Sequence, residues 1–226
     1  MKDRGRGWAA RAAALSLALA LTACGAVGVQ LALSFASPEL FAAMFGSHES
    51  QTEFHEAAPL IQKKDWLGLT TLARQRLAAN PRSGPWWELA AYGHLQLNEL
   101  KDARDCIERA TRLVPEDVEA WNMYANILRR QGETDRARIV VQHALEVDPS
   151  SATAYVILGD VQRDGGRARL ALQAYSRAID IDGGNVFAWY GVGLVAKATK
   201  NKELYDKAKQ NLQQLSKPMA EQLEKA

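Results

Sequence analysis

The sequence predicts an all-α protein: a solenoid of stacked helix-turn-helix units preceded by one apolar N-terminal segment. Two observations carry this prediction. Residue types recur every 34 positions over most of the chain, and residues 12–35 contain no charged side chain. Of the 226 residues, 47% are hydrophobic and 24% are charged, so the chain has enough apolar material to bury a core.

The N-terminal segment has the length of a membrane span. A helix crosses the hydrocarbon core of a bilayer with about 20 apolar residues, and residues 12–35 follow a basic region at residues 1–11. Positive charge before the segment predicts that residues 36–226 lie on the far side of the membrane. In bacteria the body would then lie in the periplasm.

A second interpretation of the same segment starts from Cys24. The stretch Leu21-Thr22-Ala23-Cys24 resembles the lipobox of bacterial lipoproteins, in which the cysteine is lipidated and becomes the new N-terminus. The uncleaved transmembrane anchor and the lipoprotein signal remain alternatives, and both are favoured over a cleaved soluble product. The transmembrane anchor predicts attachment to the inner membrane, and the lipoprotein signal also allows attachment to the outer membrane.

Charge and cysteine content narrow the classes of partner. The net charge is +2, but residues 1–24 hold a net +3, which leaves about −1 for the remainder. A near-neutral body without a basic patch argues against nucleic acid as the main partner. The two cysteines, Cys24 and Cys106, are too few for a disulfide framework or a metal knuckle.

The residues between this segment and the repeats are less regular. Residues 36–50 are predicted to be a linker with a short interfacial helix, and the polar stretch 46–51 is typical of a connection. Residues 51–83 are predicted to form an atypical N-terminal capping hairpin, because Pro59 falls where its first helix should run.

The repeat consists of columns of residues spaced 34 apart, and each column has a physical function. An aromatic residue is followed four positions later by a small one, which is the spacing of a helix face that packs closely against another helix. The aromatic column holds Trp87, Trp121, Tyr155 and Trp189, and the small column holds Ala91, Ala125, Gly159 and Gly193.

Helix boundaries recur with the same period. Asn98, Gly132 and Gly166 stand where the first helix of a unit should end in a left-handed turn. Prolines then end the second helices, and a capping residue two positions later begins the next unit. The prolines are Pro81, Pro115 and Pro149, and the caps are Ser83, Asp117, Ser151 and Asn185.

This pattern resembles the tetratricopeptide repeat family, and the resemblance implies a right-handed α-solenoid. Residues 84–117, 118–151 and 152–185 match the family pattern closely. Residues 186–226 are predicted to be a degenerate repeat with a capping helix, because Tyr205 occupies the position that Ala171 holds one unit earlier. Pro218 is predicted to end that helix and to leave a short tail.

One further face recurs in every unit, one residue beyond each aromatic, at helical spacing i, i+4 and i+7. In the family, this face lines a concave groove that accepts a peptide or helix from a partner protein. Aromatic, aliphatic and amide side chains, with a basic row at 129, 163 and 197, suit that role, although such residues can also be merely solvent-facing. The groove face comprises Glu88, Tyr92, Leu95, Asn122, Asn126, Arg129, Val156, Asp160, Arg163, Tyr190, Leu194 and Lys197.

Some family members clamp the carboxylate tail of chaperones with lysines, asparagines and an arginine in this groove. At the corresponding positions only Asn126 fits, which argues against chaperone-tail binding. The other positions that correspond to the clamp hold Pro85, Leu89, Glu119, Met123, Thr153, Ile157, Phe187 and Gly191.

No pattern in the chain predicts catalysis. There is no phosphate-binding loop, CxxC or HExxH motif, and no nucleophile is paired with a base. His94 and Cys106 are predicted to be structural. We therefore expect no enzyme activity, no cofactor, no metal and no small-molecule substrate.

The predicted function is a non-catalytic scaffold, tethered to the membrane, that binds a protein partner during assembly of an envelope complex. A constitutive accessory subunit of a membrane complex is the alternative. A further alternative is an enzyme or a ligand sensor that uses the array as a support.

Overall fold

A computed structural model describes residues 48–226, with side chains from residue 54 onward. The predicted membrane segment and Cys24 lie outside the described residues. Those residues form helices and no strands: α1 (His48–Gln62), α2 (Trp66–Ala79), α3 (Gly84–Gln96), α4 (Leu100–Leu113), α5 (Val118–Arg130), α6 (Thr134–Val147), α7 (Ala152–Asp164), α8 (Ala168–Ile181), α9 (Val186–Ala198), α10 (Lys202–Leu215) and α11 (Lys217–Lys225).

Consecutive helices pair into hairpins, and the hairpins stack. The second helix of each hairpin packs against the first helix of the next, and α7 also contacts α5 and α9. The molecule therefore has a layer of first helices (α1, α3, α5, α7, α9) and a layer of second helices (α2, α4, α6, α8, α10). For the described residues, the predicted all-α solenoid is confirmed.

The predicted caps begin the first helices. In each case the side-chain oxygen accepts a hydrogen bond from a backbone N–H in the first turn, where helical partners are missing. The donor and acceptor of each bond are the N–H of Trp86 and Ser83 (3.3 Å), of Glu119 and Asp117 (2.9 Å), of Ala154 and Ser151 (3.2 Å), and of Ala188 and Asn185 (3.0 Å).

The predicted left-handed turns join the helices within each hairpin. Asn98, Gly132 and Gly166 have φ of 62°, 81° and 73°. Lys64 and Lys200 adopt the same conformation at φ of 55° and 57°, which the sequence did not predict because lysine has no preference for it. All five turns close with the same backbone bond, for example from Glu133 N–H to the Leu128 carbonyl at 2.9 Å.

The aromatic column ties each hairpin to the loop before it. The indole N–H of Trp87, Trp121 and Trp189 donates to the carbonyl six residues earlier, at 3.0, 2.8 and 3.1 Å. The rings are half-buried, so they pack on the core but keep one edge in water. Side chains of the second helix cover three of the rings: Arg109 over Trp87 (4.6 Å), His143 on Trp121 (4.4 Å) and Arg177 over Tyr155 (6.0 Å).

The small column allows the two helices of a hairpin to approach closely. A Cβ on Gly159 would lie 2.4 Å from the Tyr175 ring, and one on Gly191, in the next hairpin, would lie 2.3 Å from it. The Tyr175 side chain is fully buried. Its ring therefore fills the space that these two glycines leave, and larger residues would not fit there.

The first hairpin corrects the prediction of a linker at residues 48–50. α1 begins at His48, so part of the predicted linker is helical, and it runs through Pro59. The helix continues beyond the proline, because Lys63 N–H donates to the Pro59 carbonyl at 3.2 Å. Phe54, Ala57 and Ile61 bury one face of α1, which offsets the roughly 3 kcal/mol that an internal proline costs.

The structure also corrects the prediction of a short tail after Pro218. Pro218 does not leave a short tail but stands in the first turn of α11, where its missing N–H has no helical partner to lose. This helix packs on α9 and α10 and buries Met219, Ala220 and Leu223. Leu223 fills the space beside Gly193, where a Cβ would lie 2.5 Å from it. The array is thus capped by a helix that the periodicity did not predict.

No helix within residues 48–226 combines the length and the apolar character that crossing a bilayer would require.

Replacing Gly159 by alanine tests the close packing. We expect Gly159→Ala to lower the free energy of unfolding by about 1–3 kcal/mol, because the new methyl group would displace a fully buried ring. Urea unfolding followed by circular dichroism measures the loss. Gly183→Ala is the matched control, since its Cβ would meet nothing closer than 3.9 Å. Equal midpoints for the two variants would contradict close packing at Gly159.

Candidate functional site

The groove face lies on the first-helix layer, and its accessibility varies by row. The row of Glu88, Asn122, Val156 and Tyr190 is buried in every unit, with exposed fractions of 5%, 0%, 4% and 6%. In the second row Asn126 and Asp160 are buried, whereas Tyr92 and Leu194 are half-buried. In the third row Leu95 is buried, Arg129 and Arg163 are partly accessible and Lys197 is exposed. The accessible part of the face is therefore at the C-terminal ends of its helices.

A polar network crosses this face from α5 to α8. Arg129 pairs with Asp164 (2.8 Å) and donates to the Asn126 side-chain oxygen (3.0 Å). Arg163 pairs with Asp160 (3.1 Å), which also accepts a hydrogen bond from the buried Tyr175 hydroxyl at 2.7 Å. Burial and the neighbouring Asp160 charge raise the pKa of Tyr175 well above its ordinary value. The network joins successive units and holds the buried Asp160 in a paired state.

The predicted basic row is therefore engaged within the chain. Arg129 and Arg163 pair with the carboxylates of α7, and the Lys197 ammonium donates to the Glu224 carbonyl of α11 at 3.2 Å. Sequence reasoning could not predict the contacts of Arg129 and Lys197, because their partners are 35 and 27 residues away. Arg163 and Asp160 are only three residues apart on α7. An acidic partner segment would have to compete with them.

A second polar cluster lies where α3 and α5 meet the groove face. It contains Glu88 from α3, with Glu119 and Asn122 from the first turns of α5. The Asn122 amide nitrogen donates to Glu119 Oε2 at 3.2 Å, and its oxygen accepts no hydrogen bond from the described residues. We call Glu88, Glu119 and Asn122 the acceptor cluster.

The surroundings of the acceptor cluster disfavour the charged forms of its two carboxyl groups, those of Glu88 and Glu119. Burial raises the pKa of Glu88 well above its ordinary value, and the charges of Asp117 and Glu119 raise it further. Burial also raises the pKa of Glu119 to about 8, with the Asn122 hydrogen bond opposing that rise. No described lysine or arginine contributes to either shift.

Sequence reasoning identified Glu88 and Asn122 but not Glu119 as a groove residue. Glu119 was considered only as a mismatch to the chaperone clamp. Its position three residues before Asn122 places both on one side of α5, and that spacing is the signal that could have identified it.

The remaining candidates have structural surroundings. His94 pairs with Glu99 at 2.6 Å across the turn between α3 and α4, which confirms the prediction of a partly buried histidine with a partner. Asp102 lies beside them, and in the described part of the chain only these three residues bring metal-ligating atoms together. Burial raises the pKa of the Cys106 thiol to about 11, so it is protonated at neutral pH, as expected for a structural cysteine.

Comparison with known proteins agrees with this geometry. A family model of the tetratricopeptide repeat matches residues 89–146 and 140–186. The match covers 98 of the 226 residues, which have the pattern of tetratricopeptide repeats (TPR). No curated protein matches the sequence significantly.

Solved structures share the fold at low sequence identity. The thermophilic TPR protein TTC0263 from Thermus thermophilus superposes with a TM-score of 0.67 at 15% identity, over 78% of this chain and 97% of that one. YrrB, described as a TPR protein with an unusual peptide-binding site, gives 0.56 at 17% identity, over 84% and 100%. MamA gives 0.58 at 22% identity, over 75% and 94%. At these low sequence identities, the structural similarity shows a shared fold and nothing more.

The raised pKa of Glu119 predicts that the free energy of unfolding depends on pH. Its carboxyl group titrates near 8 in the folded chain, against an ordinary value of 4.5. Between these values the folded state binds the extra proton, so stability should fall as pH rises through this window and then level off. We expect Glu119→Gln to raise the urea midpoint at pH 9 and to change it little at pH 4.

Glu116→Gln, an exposed neighbour, serves as the control and should leave the pH profile unchanged. If the urea midpoint of Glu119→Gln depends on pH in the same way as that of the original chain, ionisation of Glu119 does not cause the loss of stability at high pH.

Proposed function

We propose that the TPR array is a non-catalytic scaffold that binds a segment of a partner protein along the groove face. The observation that carries the proposal is the half-buried state of Tyr92 and Leu194, on α3 and α9. Large apolar side chains that keep accessible surface on this layer can be buried further by a partner. The distance from α3 to α9 spans four units, which suits an extended segment or a helix.

The polar groups of the face fit binding better than catalysis. Arg129, Asp160, Arg163 and Asp164 are paired with one another, so they provide a fixed pattern of charge. The twelve residues of the groove face include no serine, threonine, cysteine or histidine, the side chains that most often supply a nucleophile and its base. The structural neighbour YrrB is a TPR protein with a peptide-binding site, which supports the same kind of function here.

Site-specific photocrosslinking in native membranes tests where the partner binds. A photoreactive amino acid is placed at Tyr92 or Leu194 in the full chain. Ile139 and Leu67 are matched control positions, because they are apolar and 61% and 69% exposed on the second-helix layer. We expect one partner to be crosslinked from both groove positions and from neither control, with mass spectrometry identifying the partner peptide joined to each.

Crosslinks from Ile139 and Leu67 alone would contradict the groove proposal. That result would instead support a constitutive accessory subunit that is held through its second-helix layer.

The proposed scaffold is tethered to the membrane by residues 12–35, with its TPR array in the periplasm, where it takes part in assembly of an envelope complex. The support for this part is the sequence: a charge-free run of membrane-spanning length after a basic region, with Cys24 inside it. Either an uncleaved span or a lipidated Cys24 gives the same placement of the array.

Membrane fractionation tests the tether. We expect the full chain to stay in the membrane pellet after an alkaline carbonate wash, and a chain without residues 12–35 to be released, because the apolar segment is the only proposed anchor. Release of the full chain by the wash would contradict the tether. Cys24→Ala then separates the two anchors: loss of fatty-acid labelling with a larger product indicates a lipoprotein, and unchanged mass indicates a span.

A further inference from the structure

The first row of the groove face extends to α1 and is buried along its whole length. Phe54 stands 34 residues before Glu88 and is 3% exposed, so the row runs from α1 to α9 with no member above 6%. In the second row, Asn126 and Asp160 are buried as well, at 1% and 6%. Burial is therefore most complete over the N-terminal halves of the first helices.

The described helices do not account for this burial, as α5 shows. Its residues from Asn122 to Leu128 are all buried, and seven consecutive residues complete almost two turns of a helix. Every side of α5 is therefore shielded from water over this stretch. Among the described helices, α5 packs mainly against α4 and α6 of the second layer and against α7 beside it. The side of α5 that faces away from the second layer needs a further cover.

The chain has a segment that enters the array at the buried edge. Because the units repeat with one period, the first helices run in the same direction and their N-terminal ends share one edge of the layer. Residue 47 joins α1 at that edge. Packed helices lie about 8–10 Å apart, so the row from α1 to α9 is roughly 32–40 Å long. Residues 36–47 reach about 40 Å when extended, which is enough to follow the whole row.

The composition of residues 36–47 suits such a cover. Four large apolar side chains fall within six residues, and their burial is favourable. They are Leu40, Phe41, Met44 and Phe45. The segment contains no lysine or arginine. A cover without cations removes water from Glu88 and Glu119 and supplies no counter-ion, which agrees with the raised pKa of both carboxyl groups. A basic occupant, such as residues 1–11, would oppose that rise.

We propose that residues 36–47 lie along the first two rows of the groove face as an internal segment of the folded chain. The segment buries its apolar side chains against the first helices and leaves Tyr92, Leu194 and the third row accessible. A partner segment then binds beside it, at the C-terminal ends of these helices. This consequence for partner binding rests on the groove function proposed above, whereas the position of residues 36–47 does not.

Photocrosslinking within the chain tests the position of the segment. A photoreactive phenylalanine derivative is placed at Phe41 or Phe45 in the full chain, which is purified in detergent micelles, and mass spectrometry maps the joined peptides. We expect crosslinks to first-row peptides of α3, α5 or α9. Ile139, which is 61% exposed on α6, is the control position and should not crosslink to residues 36–47. An absence of crosslinks to the first helices would overturn the proposal.

Two further measurements identify other occupants. An equal mixture of unlabelled and isotope-labelled chains should give crosslinked products that carry one label only, because both peptides come from one chain. Products with both labels would make a second copy the occupant and would overturn the proposal. In lipid nanodiscs, crosslinks from Phe41 and Phe45 to lipid, with none to the array, would place the segment at the membrane surface and would overturn it too.

Competition with a free peptide gives the size of the effect. A labelled peptide of residues 36–47 is added to the original chain and to the Leu40→Ser/Phe41→Ser/Met44→Ser/Phe45→Ser variant. We expect the peptide to bind the variant roughly 10-fold more tightly or better, because the tethered segment of the original chain competes at millimolar effective concentration. A peptide with the same four substitutions is the control and should bind neither chain. Equal binding of the unsubstituted peptide to both chains would contradict the proposal. If the variant loses helix content, the crosslinks decide.

Failure of this inference and failure of the groove function give different results. If residues 36–47 do not crosslink to the first helices while Tyr92 and Leu194 still capture a partner, only the internal segment is overturned. If residues 36–47 crosslink as expected and neither Tyr92 nor Leu194 captures a partner, the groove function is overturned and the internal segment stands.

Discussion

The close approach of helices at the small-residue column is the constraint on which the rest of the structure depends. The Tyr175 ring occupies the space between Gly159 and Gly191, where added Cβ atoms would lie 2.4 and 2.3 Å from it. Leu223 does the same beside Gly193. Because the interior is closely packed, the sizes of these few residues determine how each hairpin lies on the next. The half-buried aromatic column follows from that placement, since its rings bridge each hairpin to the preceding loop.

The phase of the stack also determines the electrostatics of the groove face. Stacking brings Arg129 of one unit to Asp164 of the next, and the pairing of α7 with α8 within a unit brings Asp160 to the hydroxyl of Tyr175. These contacts compensate the charges around α7. Between α3 and α5, the charge of Glu119 contributes to the raised pKa of the buried Glu88, and no lysine or arginine among the described residues contributes to that shift. The same packing therefore produces, on a single face, a region of paired charges and a region of buried carboxyl groups with raised pKa.

The sequence predicted the local features well and the long-range ones poorly. Caps such as Ser83 and turns such as Gly132 were predicted because their physical cause lies within a few residues. The helix after Pro218 was not predicted, because burial of its apolar side chains against the array outweighs the local effect of the proline. The groove face was chosen by spacing alone, which cannot show that Asn122 is buried or that Arg129 is paired.

Hydrogen exchange of the full chain, measured by mass spectrometry with and without a peptide selected on it from a random library, tests the central claim most directly. The account predicts that the peptide slows exchange along the first helices α3, α5 and α9 and leaves α4 and α6 unchanged, because the in-phase stack presents only first helices at the binding face. Slower exchange in α4 and α6, with none in α3 and α5, would contradict it.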